Sequence, residues 1–295
     1  MATLRELKSR IGSVASTEKT TSAMKMISSA KMRKATLQLQ CLSPYRGMVR
    51  HVMSHLLVTD SEFDSPLLSR REVRSIALVV FGSDDGLCGA YNINLQKQLL
   101  VTIADVRKAH GDAVRITVIP VGRKLTKAAR KMTDIGIEVQ TTTLNTRSSA
   151  TELNEFSAML QQAFLDATFD QVDVLYMHFK STSRQTFTRE QLLPVAPESL
   201  TEQVDSRLAT QPCLFEPDAN AIFGSILPLH LRATVHEVFS ESSASEQAAR
   251  VMAMQTASDN AKELLDELNL EYNKIRQQSI TTELLDIIGG QVQRK

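Results

Sequence analysis

Alternate steps of four and three residues from Gln247 land on Val251, Met254, Ser258, Ala261, Leu265, Leu268, Tyr272, Ile275, Ser279 and Thr282, a mostly apolar seam of coiled-coil spacing. Near the other terminus Leu4, Leu7, Ile11 and Val14 keep that spacing, and after Glu18 and Thr21 the apolar positions Met24 and Ile27 follow. The pattern predicts two long helices, one from each end, that pair through these seams. Helix breakers are sparse in both: Leu229 to Ile288 is sixty residues without Gly or Pro, and Gly12 is the only break in the first forty-three residues. If fully helical, the C-terminal run reaches about 90 Å at 1.5 Å per residue, roughly twice the diameter of a globular domain of this size. Such a helix is expected to protrude into a partner. Gly289 and Gly290 are expected to mark its end, with residues 291–295 outside the seam.

The middle of the chain changes period. Ile76 to Phe81 is a continuous apolar strand, followed by the turn GSDDGLCG and a helix from Asn92 to Lys108. Arg115 to Val121 is a second strand, then come a short helix from Lys124 to Met132, a strand around Ile137 to Gln140, a helix from Glu152 to Ala167 and the strand Val172 to Lys180. This alternation predicts a mostly parallel sheet covered on both faces. Thr186 to Val195 adds an edge strand, and Pro197 to Pro217 connects back to the long C-terminal helix. No internal repeat or low-complexity tract interrupts the order.

Charge distinguishes the two long helices. Residues 1–50 hold ten Lys or Arg against Glu6 and Glu18, a net of +8; residues 237–288 hold ten acids against Arg250, Lys262, Lys274 and Arg276, a net of −6. Opposite signs favour their pairing, an asymmetry hidden in the overall charge of +1. The exposed face of the basic helix is expected to seek acidic surface.

Composition removes several classes. The 295 residues, 42% of them hydrophobic, hold ample core material, but no run approaches eighteen consecutive apolar residues. A soluble chain is predicted, linked to a membrane only through partners. The start, MATLRELKSRIGS, lacks an apolar secretory segment and flows into the first seam, so no cleaved targeting peptide is expected. Cys41, Cys88 and Cys213 are odd in number and without a CxxC, which suits a reducing compartment.

Candidate chemistry is thin. Gly82, Gly86 and Gly89 lie between a strand and a helix, where a nucleotide loop would offer backbone N–H groups to phosphate. The loop is neither GxGxxG nor a Walker sequence, and no acid closes the second strand, so a structural turn is the favoured reading. His51 and His55 share a helical face, yet HVMSH has no intervening Glu and no third ligand. Ser83, Asp84 and Asp85 read as turn and cap residues, since no nucleophile and base with a defined spacing accompanies them. Lys25, Lys31, Arg33 and Lys34 could neutralise phosphates, but no aromatic lies among them before Tyr45 to stack on bases. No catalytic, metal or cofactor site is therefore predicted, and no nucleic-acid partner.

Four ordered segments carry a resemblance. AMKMISSAKMRKA (Ala23 to Ala35), SDDGLCGAYNINL (Ser83 to Leu95), SEQAARVMAMQTASDNA (Ser245 to Ala261) and YNKIRQQSITTELLDIIGG (Tyr272 to Gly290) resemble the γ subunits of bacterial F-type ATP synthases, over essentially the full length. The fold this implies is α/β: an antiparallel coiled coil of the terminal helices with an inserted, mostly parallel α/β domain. The domains would be shaft helices at 1–58 and 218–290 and a foot at 73–212. The resemblance further implies a non-catalytic rotor shaft threaded through a hexamer of alternating α and β subunits, its foot standing with ε on the c ring. Proton flow would turn ring and shaft, and catalysis would lie on β. Such a chain would be peripheral, at the cytoplasmic face of the inner membrane. Carried over position by position, Arg276, Gln277, Thr281 and Glu283 would engage a β loop, and Met24 would sit where a β lever passes the shaft. The foot loop departs from the family at Asp85, commonly basic there, and at Ala90, commonly Gly. Two other classes are compatible with parts of the sequence: a nucleotide-dependent α/β enzyme resting on the 82–89 loop, and a free-standing coiled-coil scaffold resting on the basic helix.

Overall fold

The computed structural model describes residues 3–59, 65–197 and 216–292. The elements run α1 (Leu4–Thr59), β1 (Ser75–Phe81), α2 (Tyr91–His110), β2 (Arg115–Val121), α3 (Arg123–Ala129), a 3-10 helix (Arg130–Ile135), β3 (Glu138–Val139), α4 (Ala150–Leu165), β4 (Gln171–Ser181), β5 (Arg184–Leu193) and α5 (Ala219–Val292). Two units are distinguished: Met1–Ser28 with Arg250–Lys295, and Ser29–Ala249. Most of the expected connector, including Cys213, lies outside the described residues, as does the expected foot boundary at 212.

The second unit is built on a sheet of order β3-β2-β1-β4-β5. β1 pairs in parallel with β2 and β4, β2 in parallel with β3, and β5 closes the far edge antiparallel to β4. All seven residues of β1 are buried, which explains its unbroken apolar run: a strand covered on both faces has no polar side to show. Ala77, Val79 and Phe81 face one core and Ile76, Leu78 and Val80 the other.

Different helices close the two cores. On one face lie Leu95, Leu99, Ile103 and Val106 of α2 and Leu125 of α3. The opposite face takes Phe156, Leu160 and Phe164 of α4, together with Val49, Met53 and Leu56 of α1 and Phe223, Leu227 and Leu231 of α5. Helix α4 starts with a capping box: the Ser149 hydroxyl accepts from the Glu152 amide at 3.3 Å, and the Ser149 amide donates to the Glu152 carboxylate at 2.7 Å.

The long helices correct the sequence expectation in three places. On α1 the three/four alternation from Leu4 continues without a shift through 18, 21, 25, 28, 32 and 35 to 53 and 56, and every one of these positions is buried or half-buried. Ile27, expected in the seam, is 56% exposed, while Ser28 is 3% exposed. Helical geometry thus overrides hydrophobicity here: Met24 and Ile27 stand one step off the regular register, and the polar Glu18, Thr21, Lys25 and Ser28 line the seam instead. The second correction is the end of α5, which runs through Gly289 and Gly290 to Val292. Glycine costs a helix about 1 kcal/mol per residue, which is not enough to force a stop. Pro44 and Pro228 also lie within helices.

On α5 the predicted seam holds from Val251 to Ser279, while Thr282, its last expected position, is exposed. Val251, Met254, Ser258, Ala261 and Leu268 are buried, and Leu265, Tyr272, Ile275 and Ser279 are half-buried. In the first unit, Ser258 donates to the Glu18 carboxylate at 3.4 Å. In the second, Arg46 meets Glu237, and Lys31 and Lys34 line one cavity with Glu246 and Gln247. Contact positions therefore fall along α5 as they rise along α1, so the helices pair antiparallel.

Candidate functional site

The predicted contact residues all belong to the first unit. Arg276, Gln277, Thr281 and Glu283 are exposed on α5. At 100° per residue Arg276 and Glu283 lie within about 20° of one another, and Gln277 and Thr281 within about 40°, but the two pairs stand about 100–160° apart, so the four spread over nearly half of the helix surface. The Thr281 hydroxyl donates to the Gln277 carbonyl at 2.8 Å, which fixes its rotamer and leaves the Arg276 guanidinium and the Gln277 amide turned to solvent. Half-buried Tyr272, Ile275 and Ser279 form the seam side of this stretch, next to Arg276 and Glu283 and away from Gln277 and Thr281. Met24 is half-buried on α1, between the seam and the exposed Met26 and Ile27.

A feature that hydrophobic patterning missed surrounds the cluster. Leu270, Ile280, Leu284, Leu285 and Ile287 are 46–72% exposed. Large aliphatic side chains concentrated on one exposed helix end mark a surface that another molecule covers. They escaped notice because seam analysis credits only positions in register.

The glycine loop after β1 is held by an internal anion. The Asp84 carboxylate accepts from the Arg123 amide at the start of α3 at 2.9 Å, and from the amide and hydroxyl of Thr146 at 2.9 and 2.7 Å. Burial alone would raise its pKa; these donors outweigh that and hold it below the ordinary carboxylate range. A Cβ on Gly82 would come within 2.8 Å of the Leu125 Cβ, and Gly122, at φ +106°, would bring one within 2.9 Å of the Ser83 carbonyl. These glycines let two loops approach, in keeping with the structural reading of the turn. Asp85 pairs instead with Arg123 and Arg147 at the surface, at 3.3 and 3.6 Å. His51 and His55 pack edge to face, ring centroids 4.5 Å apart, and no metal-holding group of three His, Cys, Asp or Glu occurs among the described residues.

Where the helices cross the sheet lies a buried ionic cluster. Arg46 of α1 bonds Glu190 of β5 through one guanidinium nitrogen and Glu237 of α5 through another, the latter at 2.6 Å. Burial would depress the Arg46 pKa; the charge of Glu190 and the hydrogen bond to Glu237 hold it above its ordinary value. Nearby, His178 of β4 meets Glu241 of α5 at 2.7 Å, and burial pushes the Glu241 carboxyl up against that bond. A second pair, Arg189 to Asp173, ties β5 to β4 at 2.6 Å. The sequence carried a signal for this cluster: 46 falls on the α1 seam, and steps back from Gln247 reach 237 and His230, so charged or titratable residues occupy positions that pack inward.

Comparisons place this architecture. The family model described as ATP synthase matches residues 3–292. Within that class the relatives are gamma chains: the ATP synthase gamma chain of Phocaeicola vulgatus is 41% identical over 291 residues, covering 98% of this chain and 99% of the relative, and that of Bacteroides thetaiotaomicron is 38% identical over 303 residues, covering 99% and 100%. The chain belongs to the ATP synthase gamma chain family. Its fold is similar to a chain of the central stalk and c-ring structure of Tetrahymena thermophila mitochondrial ATP synthase, with a TM-score of 0.56 and 25% identity over 81% of this chain and 99% of that one. A chain in the Euglena gracilis mitochondrial ATP synthase structure of OSCP, F1 and c-ring has the same fold, with a TM-score of 0.65, 20% identity and coverage of 98% and 93%.

Proposed function

We propose that this chain is the central rotor shaft of a proton-translocating F-type ATP synthase. The shaft segments, 1–58 and 218–290, thread a hexamer of alternating α and β subunits, and the foot, 73–212, stands with ε on the c ring. Rotation of the ring turns the shaft, and the turning shaft takes each β subunit in sequence through its nucleotide-binding states; ATP hydrolysis drives the reverse. The chain itself is non-catalytic and uses no cofactor. It works at the cytoplasmic face of the inner membrane, reaching the bilayer through its partners; among the described residues no helix is long and apolar enough to cross one.

The observation that carries this reading is the far stretch of α5, where exposed Leu284, Leu285 and Ile287 stand among the exposed polar residues Arg276, Gln277, Thr281 and Glu283. An apolar sleeve lets such a helix turn, while a few directional contacts make its energy depend on angle. That dependence is required, because a partner that binds both states of β equally shifts neither. Moving one β from 1:99 to 99:1 takes about 5.5 kcal/mol of differential contact energy. Charge-assisted bonds from Arg276 and Gln277, with apolar contact at Met24, supply part of it.

The test is reconstitution with purified α and β. The chain alone should hydrolyse no ATP, and adding it to the two subunits should restore turnover. A variant carrying Arg276→Ala and Gln277→Ala should assemble as well as the parent but turn over about tenfold more slowly, since charge-assisted contacts contribute roughly 1.5–3 kcal/mol. Turnover that needs no added chain, or hydrolysis that copurifies with the chain through every step, would contradict the reading; equal turnover by the double variant would remove these two residues from the contact surface.

A further inference from the structure

The Arg46 cluster has no part in the contact surface on the far stretch of α5, yet it joins more elements than any other ionic group described above. Arg46 comes from α1, Glu237 from α5 and Glu190 from β5, and Glu190 stands opposite Val174 in the β4–β5 ladder. Asp173, next to Val174, holds Arg189, the neighbour of Glu190. Four elements are therefore linked through side chains that are mostly buried: exposure is 11% at Arg46, 10% at Glu237 and 29% at Glu190.

Hydrophobic packing of α1 and α5 on the sheet is extensive but not directional. Aliphatic side chains slide with little loss of contact, whereas a planar guanidinium that bonds two carboxylates on different elements fixes distance and angle together. A buried ionic cluster is also weak evidence for stability, because the cost of desolvation offsets most of the attraction; its better-supported use is to specify one arrangement over its neighbours.

We propose that Arg46 is a positioning residue, the joint that keys the angle of the helix pair to the edge of the sheet so that torque passes between foot and shaft without slack. Resting on the rotor reading, this adds a second requirement to it: the contact face of α5 selects the state of β, and the Arg46 joint makes the foot's angle and the shaft's angle the same quantity. The geometry favours Arg over Lys at this place, since a single ammonium on a flexible stem cannot hold both carboxylates in a fixed plane.

Two variants separate this role from a folding role. Arg46→Lys keeps the buried charge balanced. The quadruple variant Arg46→Met, Arg50→Met, Glu190→Gln, Glu237→Gln removes the charges together, Arg50 included because it too lies in the field of Glu190 and Glu237. Each is assembled with α and β, the hexamer is locked with a non-hydrolysable nucleotide, and the thermal angular fluctuation of a bead fixed to the exposed Lys108 end of α2 is recorded. Both should assemble and hydrolyse ATP like the parent, while the angular variance rises on the order of twofold as the directional network is lost. Variance equal to the parent's in both assembled variants overturns the proposal, because stability alone would then account for the cluster. Failure of the charge-free quadruple variant to assemble also overturns it, by making the cluster a folding requirement. If the parent chain itself supports no turnover with α and β, the rotor reading falls, and this inference with it.

Discussion

His230 is 6% exposed, and its Nδ1 is buried without a hydrogen-bond partner among the described groups. Burial first, and then the charges of Arg46 and Arg50, pull its pKa from 6.5 to about 3. Between those values the unfolded chain takes up a proton that the folded chain refuses, so the contribution of His230 to stability is complete above pH 6.5 and declines as pH falls toward 3. By pH 5 the loss is about 2 kcal/mol, at 1.36 kcal/mol per pH unit. Replacing His230 with Leu removes this titration, and the drop in unfolding midpoint between pH 7 and pH 5 should shrink accordingly in urea titrations of the purified chain. An unchanged drop would mean that the histidine protonates freely in the folded state. Single residues also mark how far the sequence could be read. Arg276, Gln277, Thr281 and Glu283 came from resemblance rather than chemistry, since an exposed Arg on a helix is otherwise unremarkable. Asp84 was read as a turn residue, but its true partners, Arg123 and Thr146, are 39 and 62 positions away, and no local pattern reports a pairing that a fold makes.

Among the elements, strands and helices of a single environment were read well. The apolar run of β1, the alternation that follows it and the α5 seam from Val251 to Ser279 are each set by one period and one kind of burial. Legibility fails where an element has two neighbours. From His230 to Ala249, α5 is packed between α1 and the sheet, and only Arg232 is exposed, although Ser240, Glu241, Ser242, Ser245 and Glu246 are polar. Ser242 is tolerated because its hydroxyl donates to the Phe81 carbonyl at 3.2 Å and meets the Tyr91 hydroxyl at 3.1 Å, so its buried oxygen is satisfied. The end of α5 was misread because glycine was treated as a stop, although its cost to a helix, about 1 kcal/mol, does not force one. At this scale stiffness is the testable property. Ala261 is 8% exposed in the seam, and Pro there would remove a backbone hydrogen bond, clash with the preceding turn and cost about 3 kcal/mol. Ala261→Pro should therefore lower proton-driven ATP synthesis severely in assembled complexes, while deletion of residues 291–295 should leave most of it. Synthesis abolished by the deletion and near the parent's in the Pro variant would contradict a helix pair acting through rigidity.

For the whole molecule, the overall charge of +1 conceals a basic α1 and an acidic α5, and Arg46 with Glu237 shows that pairing made at a buried position. The α/β sheet, which by itself suggests a nucleotide enzyme, is occupied on one face by α2 and α3 and on the other by α4 and the helix pair, and its glycine loop is closed by Asp84. What the chain leaves open includes the exposed apolar and polar surface toward the end of α5, the surface on which the proposed rotor contacts rest. The account therefore rests on motion relative to the partner that makes those contacts. The most direct measurement anchors β in an assembled α–β complex, attaches a bead to the exposed Lys108 end of α2 and adds ATP. One-way, stepwise rotation of the bead that stops when ATP is removed is the predicted result; continued ATP hydrolysis with the bead fixed relative to β would contradict the rotor account.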